Sequence, residues 1–503
     1  MADMQVVSRY VISLDMGTSS VRACLVDESL HILFQHSISV KLDTGLDGRA
    51  EQDAHEIINA SLDCLAMLNQ WAQARGILPL ALSFSNAVAS LVILDDQYQP
   101  LLPALTWADT RAAVQAQELK ERLNTELYQR TACPQHASYW LPKLRWLRET
   151  NRMPAAAAYF TTLKDLLIFQ LTGKFVMDAS NAAATGLRNV RSGDWDDLAL
   201  REAGISQTRL PLIRSTTERF EILDNFVSQR AALSSKTILV LGATDGVLSS
   251  LGAGAFETGQ VTSMVGSSAA CRVAAETPDT SDEHQRLWSY PLTDSMWVRG
   301  GAMTNGGLVT QWFANNFYSD QPNELEKMLA DAATIPPGAG GLLFLPYLYG
   351  ERAPIYDEHA RGVFFGLHGS HTRAHVARAA QEGVLFSLAS IYQVLSTSIG
   401  KVREVRATGG YARSAFLLQL QADIFNFPVS VPANYEGSSI GAAALAFLAI
   451  GAYPDFSPVR DAIQIERVFS PNQVDAALYA ARLERFKQLY TSLAPLFKQE
   501  HAA

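Results

Sequence analysis

Tyr10-Val11-Ile12-Ser13-Leu14-Asp15-Met16-Gly17-Thr18-Ser19-Ser20-Val21 is the stretch on which the reading of this chain turns. An apolar strand runs into a glycine–hydroxyl turn and leaves as a second strand, Val21 to Val26. About half the chain later the pattern returns, where Gln260 to Val265 runs into Gly266-Ser267-Ser268-Ala269. Glycine lets such a turn expose backbone N–H groups and hydroxyls in a small concave nest, which suits a phosphate oxygen. Two such turns on two half-chains predict two lobes gripping one polyphosphate.

Working outward, 503 residues exceed a single core, and two domains of roughly 200–250 residues are expected. Apolar residues make up 48% and charged residues 18%, as in a well-folded globular protein. A net charge of −9 argues against a nucleic-acid partner but leaves room for a nucleotide in a locally positive site. Cys24, Cys64, Cys133 and Cys271 show no CxxC spacing, which fits reduced thiols and gives no zinc site. Met1 to Tyr10 has no apolar leader core, and no stretch is long enough to span a bilayer. A cytoplasmic protein without a membrane partner is the expectation.

Three strands in a row, the third from His31 to Val40, precede a helix from about Ala54 to Arg75. Leu80 to Phe84 and Leu91 to Leu94 read as strands; Tyr139 to Glu149 and Leu163 to Leu171 read as helices, with Gly173 as a stop. Lys236 to Gly242 is a buried strand after a polar run, so the lobes are divided there, 1–241 and 242–503. The second lobe restarts around Gly266, continues with the strand Met296 to Gly300, and carries helices Thr372 to Ile399 and Ser414 to Phe425. From Asn472 onward one amphipathic helix is expected to brace either lobe. The repeated order resembles an internal duplication.

Several constellations carry chemistry. Asp15 ends a strand beside the first turn, where a carboxylate can hold Mg²⁺ or simply cap the turn. Asp245, in Gly242-Ala243-Thr244-Asp245-Gly246, can approach a substrate hydroxyl and accept its proton, or act as a helix N-cap. Arg406-Ala407-Thr408-Gly409-Gly410 ends a strand with two glycines against which a flat base could lie; a plain strand–helix turn is the alternative. Trp107-Ala108-Asp109-Thr110-Arg111 could grip a polyhydroxylated ligand, or form a salt bridge beside a core tryptophan. Gly350-Glu351-Arg352-Ala353-Pro354 puts charge in an apolar stretch, where it needs a partner or a ligand. Gly437-Ser438-Ser439-Ile440-Gly441 formally matches a hydrolase nucleophile elbow. It follows a poor strand in Pro432-Ala433-Asn434-Tyr435, and the one histidine downstream is His501, so a helix start with tightly packed small residues is the better reading. There is no G-x-x-x-x-G-K-[ST] and no strand-linked G-x-G-x-x-G.

Taken in order, these segments resemble the FGGY family of carbohydrate kinases over essentially the whole chain. Asp15 to Arg22 resembles the family's first phosphate loop, Gly266-Ser267-Ser268 the second, Ala407 to Gly410 the adenosine motif, and Gly242 to Asp245 the segment bearing the catalytic base. The resemblance implies a two-lobed α/β fold of the actin-like, ribonuclease-H-like type. ATP and a sugar would meet in the cleft, with Asp245 as base and Mg²⁺ near Asp15 and Asp245. It implies Asp15, Gly17, Thr18, Ser19, Arg22, Gly266, Ser267, Ser268, Gly409 and Gly410 on the nucleotide. Ser85, Ala89, Trp107, Asp109, Arg111, Asn305 and Arg352 fall on the sugar.

Within the family, Thr106 to Arg111, Asp178 to Leu187, Gly242 to Val247, Thr304-Asn305-Gly306-Gly307 and Gly350 to Pro354 look most like gluconate kinases. Arg111 or Arg352 could bind an aldonate carboxylate with two parallel hydrogen bonds. One departure stands out: many members carry Met-His after the strand at Leu80 to Phe84, and here the pair is Val88-Ala89. Gluconate is the expected substrate, with xylulose or another ketose or polyol as the alternative and a non-catalytic ATP-binding switch as the distant one. The resemblance leaves room for a homodimer.

Overall fold

A computed structural model describes residues 9–433 and 437–500. Asn434, Tyr435 and His501, which entered the reading of the elbow-like segment, lie outside the described residues.

Two twisted sheets organise the chain. The first has six strands in the order Arg219–Glu221, Ile238–Thr244, Ala81–Asn86, Tyr10–Met16, Ser20–Asp27, Ile32–Ser39. The second has seven, in the order Trp288–Pro291, Trp297–Met303, Ala269–Ala275, Gln260–Val265, Glu404–Thr408, Val429–Pro432, Ile465–Phe469. Each contains the same unit. An antiparallel hairpin turns at the glycine segment, and its first strand has a parallel neighbour from later in the chain. The repeated glycine turns therefore mark equivalent corners of two sheets.

Register places the chemistry at one end of the first sheet. Asp15 lies opposite Ser85, while Ala243 and Thr244 lie opposite Ser85 and Asn86. Three parallel strands thus end together, which is where open α/β sheets bind ligands. The register slips between Val240 and Ala243, and Gly242 sits in the slip with φ +75°. A Cβ at Gly242 would stand 1.9 Å from the Phe84 carbonyl oxygen, so glycine alone fits. This bulge aims the next residues out of the sheet and into the helix Asp245–Gly252. The division expected at 241/242 falls inside this strand.

Most expected elements are present. The first helix is Ala54–Gln73, capped by the Asp53 side chain, and Gly173 ends Leu163–Thr172 in the left-handed conformation. The strand Val92–Leu94 pairs with Tyr159–Thr161 outside the main sheet. Arg373–Ile399 and Ala415–Phe425 form as expected, the latter capped by Ser414. Helices Ala113–Thr131, Gly307–Phe317 and Glu324–Thr334 were not legible beforehand. The last helix, Gln473–Glu500, braces the second lobe: Tyr479 bonds Glu382 and Arg378 of the long Arg373–Ile399 helix. Among the described residues no helix is long and apolar enough to cross a membrane.

The elbow-like segment is a helix, Gly437–Ala449, and its small residues serve packing, as the sequence suggested. It crosses the Asp245–Gly252 helix and lies on the strands Tyr10–Met16 and Ala81–Asn86 of the first sheet. A Cβ at Gly252 would stand 1.9 Å from the Gly437 carbonyl oxygen, and one at Gly441 would stand 2.0 Å from that of Leu248. Neither neighbour is a side chain that can move aside. Gly441→Val is therefore expected to cost about 1–3 kcal/mol or more through overpacking, seen as a melting temperature several degrees lower. An unchanged melting curve would show that the two helices do not cross this closely.

Candidate active site

A cavity of about 300 Å³ lies between the lobes. Thr18 and Ser19 of the first turn and Gly266 to Ser268 of the second both line it, as do Ala89, Trp107, Asp245 and Arg352. Both turns are internally braced. The Gly17 N–H donates to the Ser20 carbonyl at 3.0 Å, and the Gly266 N–H donates to that of Ser268 at 2.9 Å. Gly306 and Gly307 lie flat on the second turn, with the Gly307 N–H donating to the Gly266 carbonyl at 2.8 Å. A Cβ at either glycine would stand 2.5 Å from that turn's backbone.

Asp245 is the first residue of its helix, with Thr244 at the cap position, so it is not an N-cap. Its Oδ1 accepts from the Gly246 N–H at 2.6 Å. Burial pushes its carboxyl up to about 6, the nearby Asp15 carboxylate adds to the rise, and the Arg272 guanidinium opposes it. A carboxylate raised this way holds a proton more readily than a free one, as a general base near neutral pH requires.

Asp15 stands at the adjacent strand end. Its Oδ1 accepts from Ser85 at 2.7 Å and its Oδ2 from Ser438 at 2.9 Å. Ser85 thus orients Asp15 and does not face the cavity. Arg22 lies opposite Asp15 across the hairpin. Among the described residues no group of three or more His, Cys, Asp or Glu gathers as a metal cage. Two neighbouring carboxylates suit a magnesium ion that takes its remaining ligands from phosphates and water.

Gly409, with φ +81°, packs on the strand before the second turn: a Cβ there would stand 2.5 Å from the Val265 carbonyl oxygen. Met264 lies opposite Thr408, so Gly409 and Gly410 stand beside Gly266 at one sheet end without lining the cavity.

Trp107 lines the cavity: its Nε1 donates to the Thr18 hydroxyl at 3.1 Å, and the Arg352 guanidinium lies 4.5 Å from its ring centre. Ala89 also faces the cavity, in the left-handed region at φ +56°. Three other expected contacts are corrected by the structure. Arg111 donates to Asp109 at 2.6 Å and to Glu51 at 2.5 Å, stacks on Trp146, and does not face the cavity. Asp109 is fully buried and also accepts from the Ala50 N–H at 3.1 Å. Asn305 is fully buried too, donating to the Gly350 carbonyl at 2.5 Å and to Glu351 at 3.0 Å. It supports the loop carrying Arg352 and is out of reach of the cavity. Glu351 finds its partners in the Thr304 and Arg352 N–H groups and Asn305.

Arg272 was missed. It extends from the strand Ala269–Ala275 into the cavity wall and approaches Gly246, where a Cβ would stand 3.1 Å from its Nε. A lone arginine in Ala269-Ala270-Cys271-Arg272-Val273 was the available signal, since charge in an apolar strand requires a partner. The Nε atoms of Arg272 and Arg352 are both buried without a hydrogen-bond partner. Also missed were Tyr139 and Tyr290, whose hydroxyls meet at 3.1 Å on the same wall.

These placements separate two arginines by their effects. Arg111→Leu leaves Asp109 buried without its cation, and a loss of about 3–5 kcal/mol of stability is expected. Thermal melting should show a large drop. A variant that melted normally but lost acceptor binding would return Arg111 to the site.

The comparisons with known proteins agree with this geometry. Residues 10–252 match the model of the FGGY family of carbohydrate kinases, N-terminal domain, and residues 261–450 match that of the C-terminal domain. The chain is 36% identical to a gluconokinase of Bacillus subtilis over 501 residues, covering 97% of each. A solved gluconate kinase from Lactobacillus acidophilus superposes with a TM-score of 0.91 at 32% identity, covering 98% of this chain and 99% of that one. A xylulose kinase from the same organism also gives 0.91, at 31% identity and the same coverage.

Proposed function

The chain belongs to the FGGY family of carbohydrate kinases, and we propose that its acceptor is gluconate, converted to 6-phosphogluconate by Mg²⁺-ATP. The observation that carries the choice of acceptor is the pair of guanidinium side chains on the cavity wall, the buried Arg272 and the half-buried Arg352. Asp245 and Glu351 already balance part of this charge; an aldonate carboxylate would add a partner able to take paired hydrogen bonds, which a neutral ketose would not. Xylulose remains the competing acceptor because its kinases share the fold equally closely, and Val88-Ala89 supply no polar contact.

In this reading the two glycine turns hold the phosphates between the lobes, and Gly409 and Gly410 lie near the nucleoside. Asp245 accepts the proton of the acceptor hydroxyl as its oxygen attacks the terminal phosphorus and ADP leaves. Asp15 and Asp245 would hold Mg²⁺, which neutralises phosphate charge during transfer. Arg272 restrains the Asp245 pKa from rising further, so the same guanidinium serves the base and the acceptor's charge.

Asp245→Asn should lower kcat by about 10²–10⁴-fold with little change in ATP binding. The pH profile follows from the raised pKa. The carboxylate must be ionised to accept a proton, so kcat/KM should fall as pH drops through about 6 and level off above it. Arg272→Met should raise the KM for gluconate about tenfold or more while changing that for xylulose little, since a charge-assisted bond is lost only with the acid. Equal losses for both acceptors would remove Arg272 from carboxylate recognition.

A further inference from the structure

Ser138 lines the cavity beside Trp107 and Tyr139, yet the transfer step above does not use it. Its surroundings fix where its proton goes. The Ser138 backbone N–H donates to Nδ1 of His136 at 3.1 Å, so Nδ1 carries a lone pair and the ring proton sits on Nε2. Nε2 faces the Glu358 carboxylate at 3.4 Å. The Ser138 hydroxyl lies 3.0 Å from the same Nδ1. With no proton on that nitrogen, the hydroxyl is the donor in this contact, sharing the Nδ1 lone pair with the backbone N–H. Its oxygen then offers the cavity lone pairs only.

The surrounding groups keep this arrangement. Burial, with the Arg352, Lys120 and Lys143 cations, holds His136 well below the usual histidine range, so the ring stays neutral. The fully buried Lys143 Nζ donates to the carbonyls of Thr106 at 2.6 Å and Ser138 at 2.8 Å, fixing the two segments that carry Trp107 and Ser138. Glu358 comes from the other lobe. Its loop is tied across the cleft by Lys120, which donates to the Tyr356 carbonyl at 3.0 Å.

We propose that Ser138 is a specificity residue that accepts a hydrogen bond from one hydroxyl of the acceptor chain, with His136 and Glu358 as positioning residues that turn its own proton away. A hydroxyl at that place is read; a deoxy carbon leaves the serine oxygen unpaired, and a carbonyl meets it lone pair to lone pair. The inference rests on the cavity being the acceptor site of the proposed kinase, and it holds whichever acceptor is used.

The test compares the full-length enzyme with Ser138→Ala in an ADP-release assay, using the best acceptor of an aldonate and ketose panel and its monodeoxy analogues. Ser138→Ala should raise the KM of the parent acceptor about tenfold with little change in kcat. One deoxy analogue, poor with the wild type, should lose nothing more in the variant. His136→Leu, which frees the serine proton, should narrow the gap between that analogue and the parent, whereas Glu358→Gln, which keeps an acceptor for Nε2–H, should preserve it. Additive losses for every deoxy analogue, or an unchanged KM in Ser138→Ala, would overturn the proposal. The Ser138→Ala cycle decides alone if His136→Leu does not fold. A ketose as best acceptor would defeat the gluconate reading and leave this test intact.

Discussion

Two helices cross backbone against backbone between the sheets, and the rest of the site depends on that contact. Gly252, Gly437 and Gly441 leave no side chain between Asp245–Gly252 and Gly437–Ala449. The closeness brings Ser438 to the Asp15 carboxylate, joining residues 423 positions apart. It also holds the start of the other helix, and with it Asp245, at the ends of the strands that carry Asp15 and Ser85. Larger residues at the crossing would separate the helices, and the two carboxylates and two phosphate turns would no longer share one cleft.

That convergence sets the electrostatics. Desolvation raises the Asp245 pKa, and the neighbouring Asp15 carboxylate adds to the rise. Arg272 and Arg352 bring positive charge to the same wall, so the cavity is neither a pure anion trap nor a pure cation site. A polyphosphate, its metal and an acidic acceptor can each find opposite charge there. The aromatic wall of Tyr139 and Tyr290, with its paired hydroxyls, closes the remaining side.

The sequence made the scaffold legible because its signals are local. Glycine–hydroxyl turns after apolar strands, an aspartate after a glycine bulge, and Gly173 as a helix stop need no knowledge of distant partners. Trp107 and Arg352, singled out by equally local signals, line the cavity, and the small residues of the elbow-like segment were read as packing. The failures came where partners decide. Asp109 and Arg111 look like ligand groups until they are seen bonded to one another and to Glu51. Asn305 looks free until Gly350 and Glu351 fold onto it. Arg272 passed as part of a strand because only the fold, which sets it near Asp245, gives it a role. His136, Ser138 and Glu358 form one chain of contacts from two lobes, which no spacing along the sequence reveals.

The most direct test of the account is the ratio of kcat/KM for gluconate to that for xylulose, measured by ADP release from the unmodified enzyme with Mg²⁺-ATP. Two guanidinium side chains on the cavity wall predict a ratio well above one. A ratio below one, with robust turnover of xylulose, would contradict the assignment of Arg272 and Arg352 to a carboxylate while leaving the kinase itself in place.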